Sequence, residues 1–322
     1  MNNERAIIDI VLATYNGSKY LEEQLNSIIG MTGFHDLVKN VIVCDDNSTD
    51  KTLQIVNKII PANKLIVLKN DKEEPFGPAK NFERGISYSS ADYIMLSDQD
   101  DFWEKDKLVT YYEEAKRLNN QMPFIIFSDL EVVDSHLRTI DPSFLHFQSI
   151  DKKWFQKLNN LLIQNIAPGC SMMFNKELIK ASMPFPQDCL MHDWWLMLVC
   201  KLYGQIKFIE GKTFIKYRQH SSNQVGAKRS SVVNNILNLS ESLNTASVNL
   251  QKTIKQMMDF NERFDNGIPS ESKKYIEALT WFLDAESSPV KRVIEAKKIK
   301  MQKSSIIKTL GTYFIIFKGL KK

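Results

Sequence analysis

Residues 93–101 read Tyr93-Ile94-Met95-Leu96-Ser97-Asp98-Gln99-Asp100-Asp101. A short apolar run stops abruptly at a polar, acidic loop, as expected where a strand buried on both faces reaches the edge of a parallel sheet. The same figure occurs twice upstream. Ile7–Ala13 ends at Thr14-Tyr15-Asn16-Gly17, and Val41-Ile42-Val43-Cys44 ends at Asp45-Asp46-Asn47-Ser48-Thr49-Asp50. Each is followed by apolar residues at helical spacing: Tyr20, Leu21, Leu25, Ile28 and Ile29, then Leu53, Ile55, Val56, Ile59 and Ile60. A further strand, Leu65–Leu68, leads into a loop with Pro75, Gly77 and Pro78 and a short helix. Strands alternating with helices predict an α/β fold with parallel βαβ units. Ligands of such sheets sit beyond the carboxyl ends of the strands. The clusters Thr14–Asn16, Asp45–Asp46 and Asp98–Asp101 all fall there, so they are expected to converge on one edge. Ser48 or Thr49 is expected to cap the second helix, and another helix is expected to start near Glu104.

The second half is less regular. Phe124–Phe127, Met172–Phe174, Lys207–Ile209 and Thr213–Arg218 read as strands, and His192-Asp193-Trp194-Trp195 opens an apolar helix running to about Tyr203. Beyond about residue 230 the chain is polar and helix-rich.

The chain has 322 residues, 43% hydrophobic and 25% charged, which argues against a disordered, collagen-like or polytopic membrane protein. Its four cysteines, Cys44, Cys170, Cys189 and Cys200, follow no metal-ligand spacing and are read as reduced thiols in a cytosolic chain. The N-terminus does not read as a signal peptide, and no apolar stretch nears the roughly 20 residues that span a bilayer. Charge is unevenly distributed. Residues 289–322 hold ten Lys/Arg against one acid, Glu295, a net charge of about +9, and the remaining 288 residues then sum to −5. An acidic body with a basic tail suits an anionic surface better than nucleic acid, and no nucleic-acid partner is expected.

Several chemistries are excluded by what is missing. There is no P-loop, no Gly-x-Gly-x-x-Gly after a strand, no His-Glu-x-x-His and no Gly-x-Ser-x-Gly elbow. An EF-hand fails because Trp103 stands where its turn glycine belongs. Carboxylates at Asp98 and Asp100 can instead address one hard cation whose other ligands are water and phosphate oxygens. The competing reading is a solvated turn or a helix cap. Asp45 and Asp46 also end a strand, where an acid can hydrogen-bond a base or ribose, and His220 is available as a borderline metal ligand.

Ala13-Thr14-Tyr15-Asn16-Gly17, Asp45-Asp46-Asn47-Ser48-Thr49-Asp50 and Leu96-Ser97-Asp98-Gln99-Asp100-Asp101-Phe102-Trp103 resemble, in this order, the signatures of glycosyltransferase family 2. Pro168-Gly169-Cys170, His192-Asp193-Trp194-Trp195 and Tyr217-Arg218-Gln219-His220 are most similar to its bacterial rhamnosyltransferase-like branch. The family usually has glycine where Asn47 sits; asparagine also accepts left-handed turn geometry. The resemblance implies the GT-A fold, a mostly parallel mixed sheet flanked by helices, over residues 1–226 as the catalytic domain. Residues 227–322 would form a helical C-terminal region with a basic, partly apolar tail. It also implies roles. Thr14, Tyr15, Asn16, Asp45, Asp46 and Asp98 would bind the nucleotide. Asp100, with His220, would hold Mg²⁺ or Mn²⁺ at the donor's diphosphate, and Asp193 would be the general base. Asn81, Arg84, Trp103, Gly169, His192, Trp194 and Arg218 are weaker candidates for the donor and acceptor pocket. For Trp103 and Trp194, core packing is the alternative; for His192 and Asp193, a helix-start role.

The expected activity is an inverting, metal-dependent transfer from a nucleotide sugar to a saccharide acceptor, lipid-linked, in cell-envelope polysaccharide synthesis. dTDP-rhamnose is the first expectation for the donor, and UDP-hexose or UDP-N-acetylhexosamine the second. The alternatives are a nucleotidyltransferase of similar fold and an inactive sugar-nucleotide-binding protein. Thr309–Phe317, apolar between Lys308 and Lys318, either packs on the body or lies in a membrane interface. The latter would place the protein in the cytoplasm, peripheral to the inner face of the cell membrane.

Overall fold

The computed structural model describes residues 7–72, 74–187, 189–220, 239–283 and 288–320; the expected domain boundary at 226/227 lies outside them. Among the described residues nine strands form one sheet: β1 (Ile8–Thr14), β2 (Val38–Asp45), β3 (Leu65–Lys69), β4 (Tyr93–Ser97), β5 (Phe102–Trp103), β6 (Phe124–Val133), β7 (Thr139–Asp141), β8 (Met172–Asn175) and β9 (Gln205–Arg218). Their order is β3-β2-β1-β4-β8-β6-β9-β5, with β7 on β6. The β3-β2-β1-β4 half is parallel, β8 runs antiparallel to both neighbours, and β9 is parallel to β6. The sheet is therefore mixed. The two runs expected at 207–209 and 213–218 are one strand, β9, kept continuous across register shifts against β6 at Ser128–Glu131.

Helices α1 (Leu21–Ile29), α2 (Phe34–Leu37), α3 (Thr52–Ile59), α4 (Pro78–Tyr88) and α5 (Lys107–Ala115) belong to the first half, and the short α6 (Phe144–Phe147) and α7 (Leu158–Ile163) follow. Pro78 opens α4, where its missing N–H costs nothing. Two local expectations are corrected. Neither Ser48 nor Thr49 caps α3; its entry is held by Asp50, which accepts from the Thr52 N–H at 2.9 Å. Ser48 is drawn away because its N–H and hydroxyl both donate to Asp45. α5 starts at Lys107, not near Glu104, because Glu104 N–H is taken by Phe214 across the β5–β9 pair.

Register sets the site. Thr14 lies opposite Asp45 and Leu12 opposite Ser97, so the tips of β1, β2 and β4 reach one edge. The core beneath is aliphatic and closed: Ile10, Val11, Leu12, Ile42, Val43, Met95 and Leu96 are fully buried.

The chain divides into two compact units. The first runs through Phe144 and takes in Ala167–Phe185 and the segment from Met191 through β9, including β8, α8 (Lys176–Ser182) and α9 (His192–Tyr203). The second draws on Leu145–Ile166, Pro186–Leu190 and the C-terminal helices α10 (Leu239–Phe264), α11 (Ser270–Trp281), α12 (Pro289–Lys298) and α13 (Ile306–Lys318). Within the second unit, Ser272 donates to Asn159 at 2.7 Å and Gln164 to Ser304 at 3.0 Å. Among the described residues no helix is long and apolar enough to cross a membrane.

Candidate active site

All sequence-predicted site residues lie in the first unit. The β1 tip is bound to the β2 tip: Thr14 Oγ1 donates to Asp45 Oδ1 at 2.8 Å, Asn16 N–H to Ser48 Oγ at 2.9 Å, and Thr49 N–H to Asn16 Oδ1 at 2.8 Å. Asn16 (φ 47°) and Asn47 (φ 67°) both adopt left-handed geometry, the conformation that lets an asparagine stand in for glycine in a tight turn. The β4 loop is bound to β1 through Gln99, whose amide accepts from Tyr15 N–H at 2.9 Å and donates to Tyr15 C=O at 3.1 Å. Gly17 leaves the room this needs, since a Cβ there would sit 2.2 Å from Gln99 Oε1. The three expected clusters thus meet.

Asp45 and Asp46 are both buried but serve differently. Asp45 ties Thr14 to Ser48. Asp46 accepts from Asn70 and from the backbone N–H groups of Phe76 and Gly77, each at 2.9 Å, and so shapes the loop before α4. On α4, Asn81 donates to Cys44 C=O at 2.7 Å and accepts from Arg84, whose guanidinium also lies over Phe76.

The acidic loop concentrates charge. Burial pushes the Asp98 carboxyl up to about 7, and the Asp100 and Asp193 charges add to it. Asp101 is fully buried and raised well above the carboxylate range by burial and by Asp100 and Asp98. Its Oδ1 accepts from Arg218 N–H at 3.2 Å, while its Oδ2 has no hydrogen-bond partner among the described residues. Asp98, Asp101 and Cys170 bring one ligand atom each to within 4.8 Å of one another. Asp100 Oδ2 lies 2.8 Å from His220 Nε2, and the His220 ring stacks on Tyr20 at 4.7 Å. Carboxylates with an imidazole are a donor set that Mg²⁺ or Mn²⁺ accepts, whereas a thiol suits softer ions. An orphaned buried carboxylate oxygen beside two further acids fits a divalent cation.

Asp193, 6% exposed in the first turn of α9, accepts from Gly169 N–H at 3.0 Å and from Trp194 N–H at 2.6 Å. Burial pushes it up to about 7. Its charge reaches Asp98, so a proton acceptor and the acidic loop share one electrostatic environment. His192 is buried against Phe82 at 4.0 Å, and burial pulls it down to about 3, so it is neutral. Gly169 lies against it, where a Cβ would approach Nε2 to 2.5 Å. Trp194 stays half-buried.

Two of the weaker candidates stand behind the loop. Arg218, 1% exposed, donates through Nε to Asp100 C=O at 2.7 Å, through one terminal nitrogen to Ser135 C=O at 2.8 Å and through the other to Glu23 at 2.5 Å. It clamps the loop's backbone. Trp103 is buried with its ring 3.1 Å from Lys107 Nζ. Lys107 was not visible as a site residue. Fully buried, it donates to Cys170 C=O at 2.8 Å, and burial holds its ammonium well below the lysine range. Gln99 and Glu23 were also missed. Only Gln99 carried a signal, its position between two acids at a strand end.

The family model for Glycosyl transferase family 2 matches residues 9–181. The dTDP-rhamnosyl transferase RfbG of Shigella flexneri is 32% identical over 227 residues, covering 67% of this chain and 74% of that protein. Two solved structures share the fold. S. aureus TarS 1-349 in complex with UDP-GlcNAc has a TM-score of 0.52 at 18% identity, covering 91% of this chain and 80% of that one. The mannosyltransferase PcManGT of Pyrobaculum calidifontis, in complex with GDP-Man and Mn²⁺, has a TM-score of 0.54 at 16% identity, covering 98% and 86%.

Proposed function

The chain belongs to glycosyl transferase family 2, and on that premise we propose that it is a rhamnosyltransferase using dTDP-rhamnose in polysaccharide synthesis at the cell envelope. That it is a glycosyltransferase with a nucleotide-sugar donor follows from the family. The choice of dTDP-rhamnose is supported by RfbG, which matches over two thirds of the chain. The observation that carries the mechanism is the buried carboxylate of Asp193, held at the start of α9 by the Gly169 and Trp194 N–H groups, with its charge acting on Asp98 of the acidic loop.

In this reading Thr14, Tyr15, Asn16 and Asp45 line the nucleoside side, and Asp46 holds the adjoining loop. Asp100 and His220 would hold Mg²⁺ or Mn²⁺, with Asp98 beside them. When bound, a divalent ion neutralises the donor's diphosphate and makes it a better leaving group. Asp193 receives the proton of the acceptor hydroxyl as its oxygen attacks the anomeric carbon and the bond to the diphosphate breaks. A pKa near 7 suits that task, because a base is effective when its pKa lies near the working pH. With one base and no protein nucleophile the displacement inverts the anomeric centre. The acceptor is a saccharide carried on a lipid at the inner face of the membrane.

The test is donor selection. dTDP-rhamnose, with Mn²⁺, should raise the thermal midpoint and release dTDP in the presence of acceptor; ligand at about 100 times its Kd adds about 2.7 kcal/mol. A larger shift and faster release with UDP-GlcNAc would replace the donor assignment and leave the family untouched.

A further inference from the structure

Helix α13 has two apolar sides. Thr312, Ile315 and Ile316 are buried on one. On the other, Ile306, Ile307, Leu310, Phe314 and Phe317 are exposed, from 79% at Ile306 to 44% at Phe314. At 3.6 residues per turn these five fall within an arc of about 100°, a continuous apolar stripe. Soluble chains rarely leave such a stripe in water without a use for it. Beside its N-terminal end lies a cavity of about 620 Å³, lined by Lys153, Lys157, Lys303 and Trp154 and, from the stripe, Ile306 and Leu310. Asp151 is the acid in that lining. Lys318 flanks the other end, exposed, with its ammonium over Phe314. The preceding helix, α12, has exposed Val290 and Ile294 among Lys291, Lys297 and Lys298.

We propose that the exposed face of α13, with the lysine-lined cavity at its N-terminal end, docks the protein on a membrane containing anionic phospholipid. The apolar stripe would enter the boundary between headgroups and acyl chains, and the cavity would receive a headgroup phosphate. A helix of 13 residues is about 20 Å long and falls short of the roughly 30 Å hydrocarbon core, so it lies in the plane of the interface. Charge selects this occupant. Residues 289–322 carry ten Lys/Arg against one acid, which attracts an anionic leaflet and would repel the same face of a second copy. The surface lies in the second unit and uses no catalytic residue, so it stands or falls apart from the donor assignment.

The test is flotation of the full chain with vesicles of phosphatidylcholine alone or mixed with phosphatidylglycerol. Binding is expected on the mixed vesicles, about 10-fold or more above phosphatidylcholine alone, and weakening with salt. Ile307→Ser/Leu310→Ser/Phe314→Ser and, separately, Lys153→Glu/Lys157→Glu should each reduce it by about 10-fold or more, with thermal midpoint and donor turnover in solution unchanged. A membrane-soluble photoprobe on the unaltered chain should label residues 306–317, which keeps the test decisive if a variant fails to fold. Equal flotation of the parent and the triple variant overturns the proposal, as does labelling confined to other segments. Failure to float, together with a parent dimer that the triple variant dissociates, would assign the stripe to self-association instead.

Discussion

In the proposed mechanism the proton of the acceptor passes to one side chain, Asp193. Its two oxygens each accept one backbone N–H, which fixes the carboxylate plane. Burial raises its pKa to about 7, overriding those two bonds, which favour the ionised form. Asp193→Asn should therefore retain donor affinity while turnover falls by about 10²–10⁴, a split read from the donor Kd against kcat. Because a base works ionised, the proposed role also expects kcat/KM of the parent to rise with pH and level off above about 7. A variant with unchanged turnover would remove Asp193 as base.

The helices position the site by close approach. α4 lies on the sheet beneath the β2 tip because Gly85 has no side chain; a Cβ there would stand 2.3 Å from Val11 Cγ1 and 2.6 Å from Cys44 Sγ, both fully buried. Neither neighbour is the far end of a flexible chain, so α4 would have to move. Gly85→Ala should cost about 1–3 kcal/mol, the scale of overpacking a core, measured by denaturant unfolding. It should also weaken donor binding, since Asn81 and Arg84 ride on the same helix. Behind the acidic loop, Arg218 at the end of β9 and Lys107 at the start of α5 do corresponding work. Each brings a buried basic side chain to a backbone carbonyl at the site, Arg218 to Asp100 C=O and Lys107 to Cys170 C=O.

Across the whole chain, charge is sorted. The acidic loop brings Asp98, Asp100 and Asp101 together with the charge of Asp193 acting on Asp98, and the basic residues collect toward the C-terminus. Packing acids together has a thermodynamic signature. Asp98 binds its proton more tightly folded than unfolded, with a pKa raised to about 7. The stability it contributes is present below its unfolded value near 3.9 and is lost as pH rises to about 7. Asp98→Asn should accordingly raise the thermal stability of the ligand-free protein near pH 8, by up to about 4 kcal/mol at about 1.4 kcal/mol for each pH unit between the two values, and leave it unchanged near pH 4. Differential scanning calorimetry at the two pH values checks this. Stability equal to the parent at both would show that neither burial nor its acidic neighbours hold the Asp98 proton.

The parallel half of the sheet, the acidic strand tips and their convergence were legible in the sequence, because a strand buried on both faces must be apolar along its length and can turn polar only where it leaves the sheet. Asn16 and Asn47 likewise carried their left-handed turns in their own chemistry. The antiparallel β8, the unbroken β9 and the entry of α3 were decided by tertiary structure, since pairing across the sheet overrides what a short segment prefers alone. So were the partners of the loop: Lys107 and Cys170 are 63 residues apart and Arg218 and Glu23 are 195 apart. No local pattern announces such pairs. Burial joins them, because a polar or basic group enclosed in the core persists only where folding has brought it acceptors.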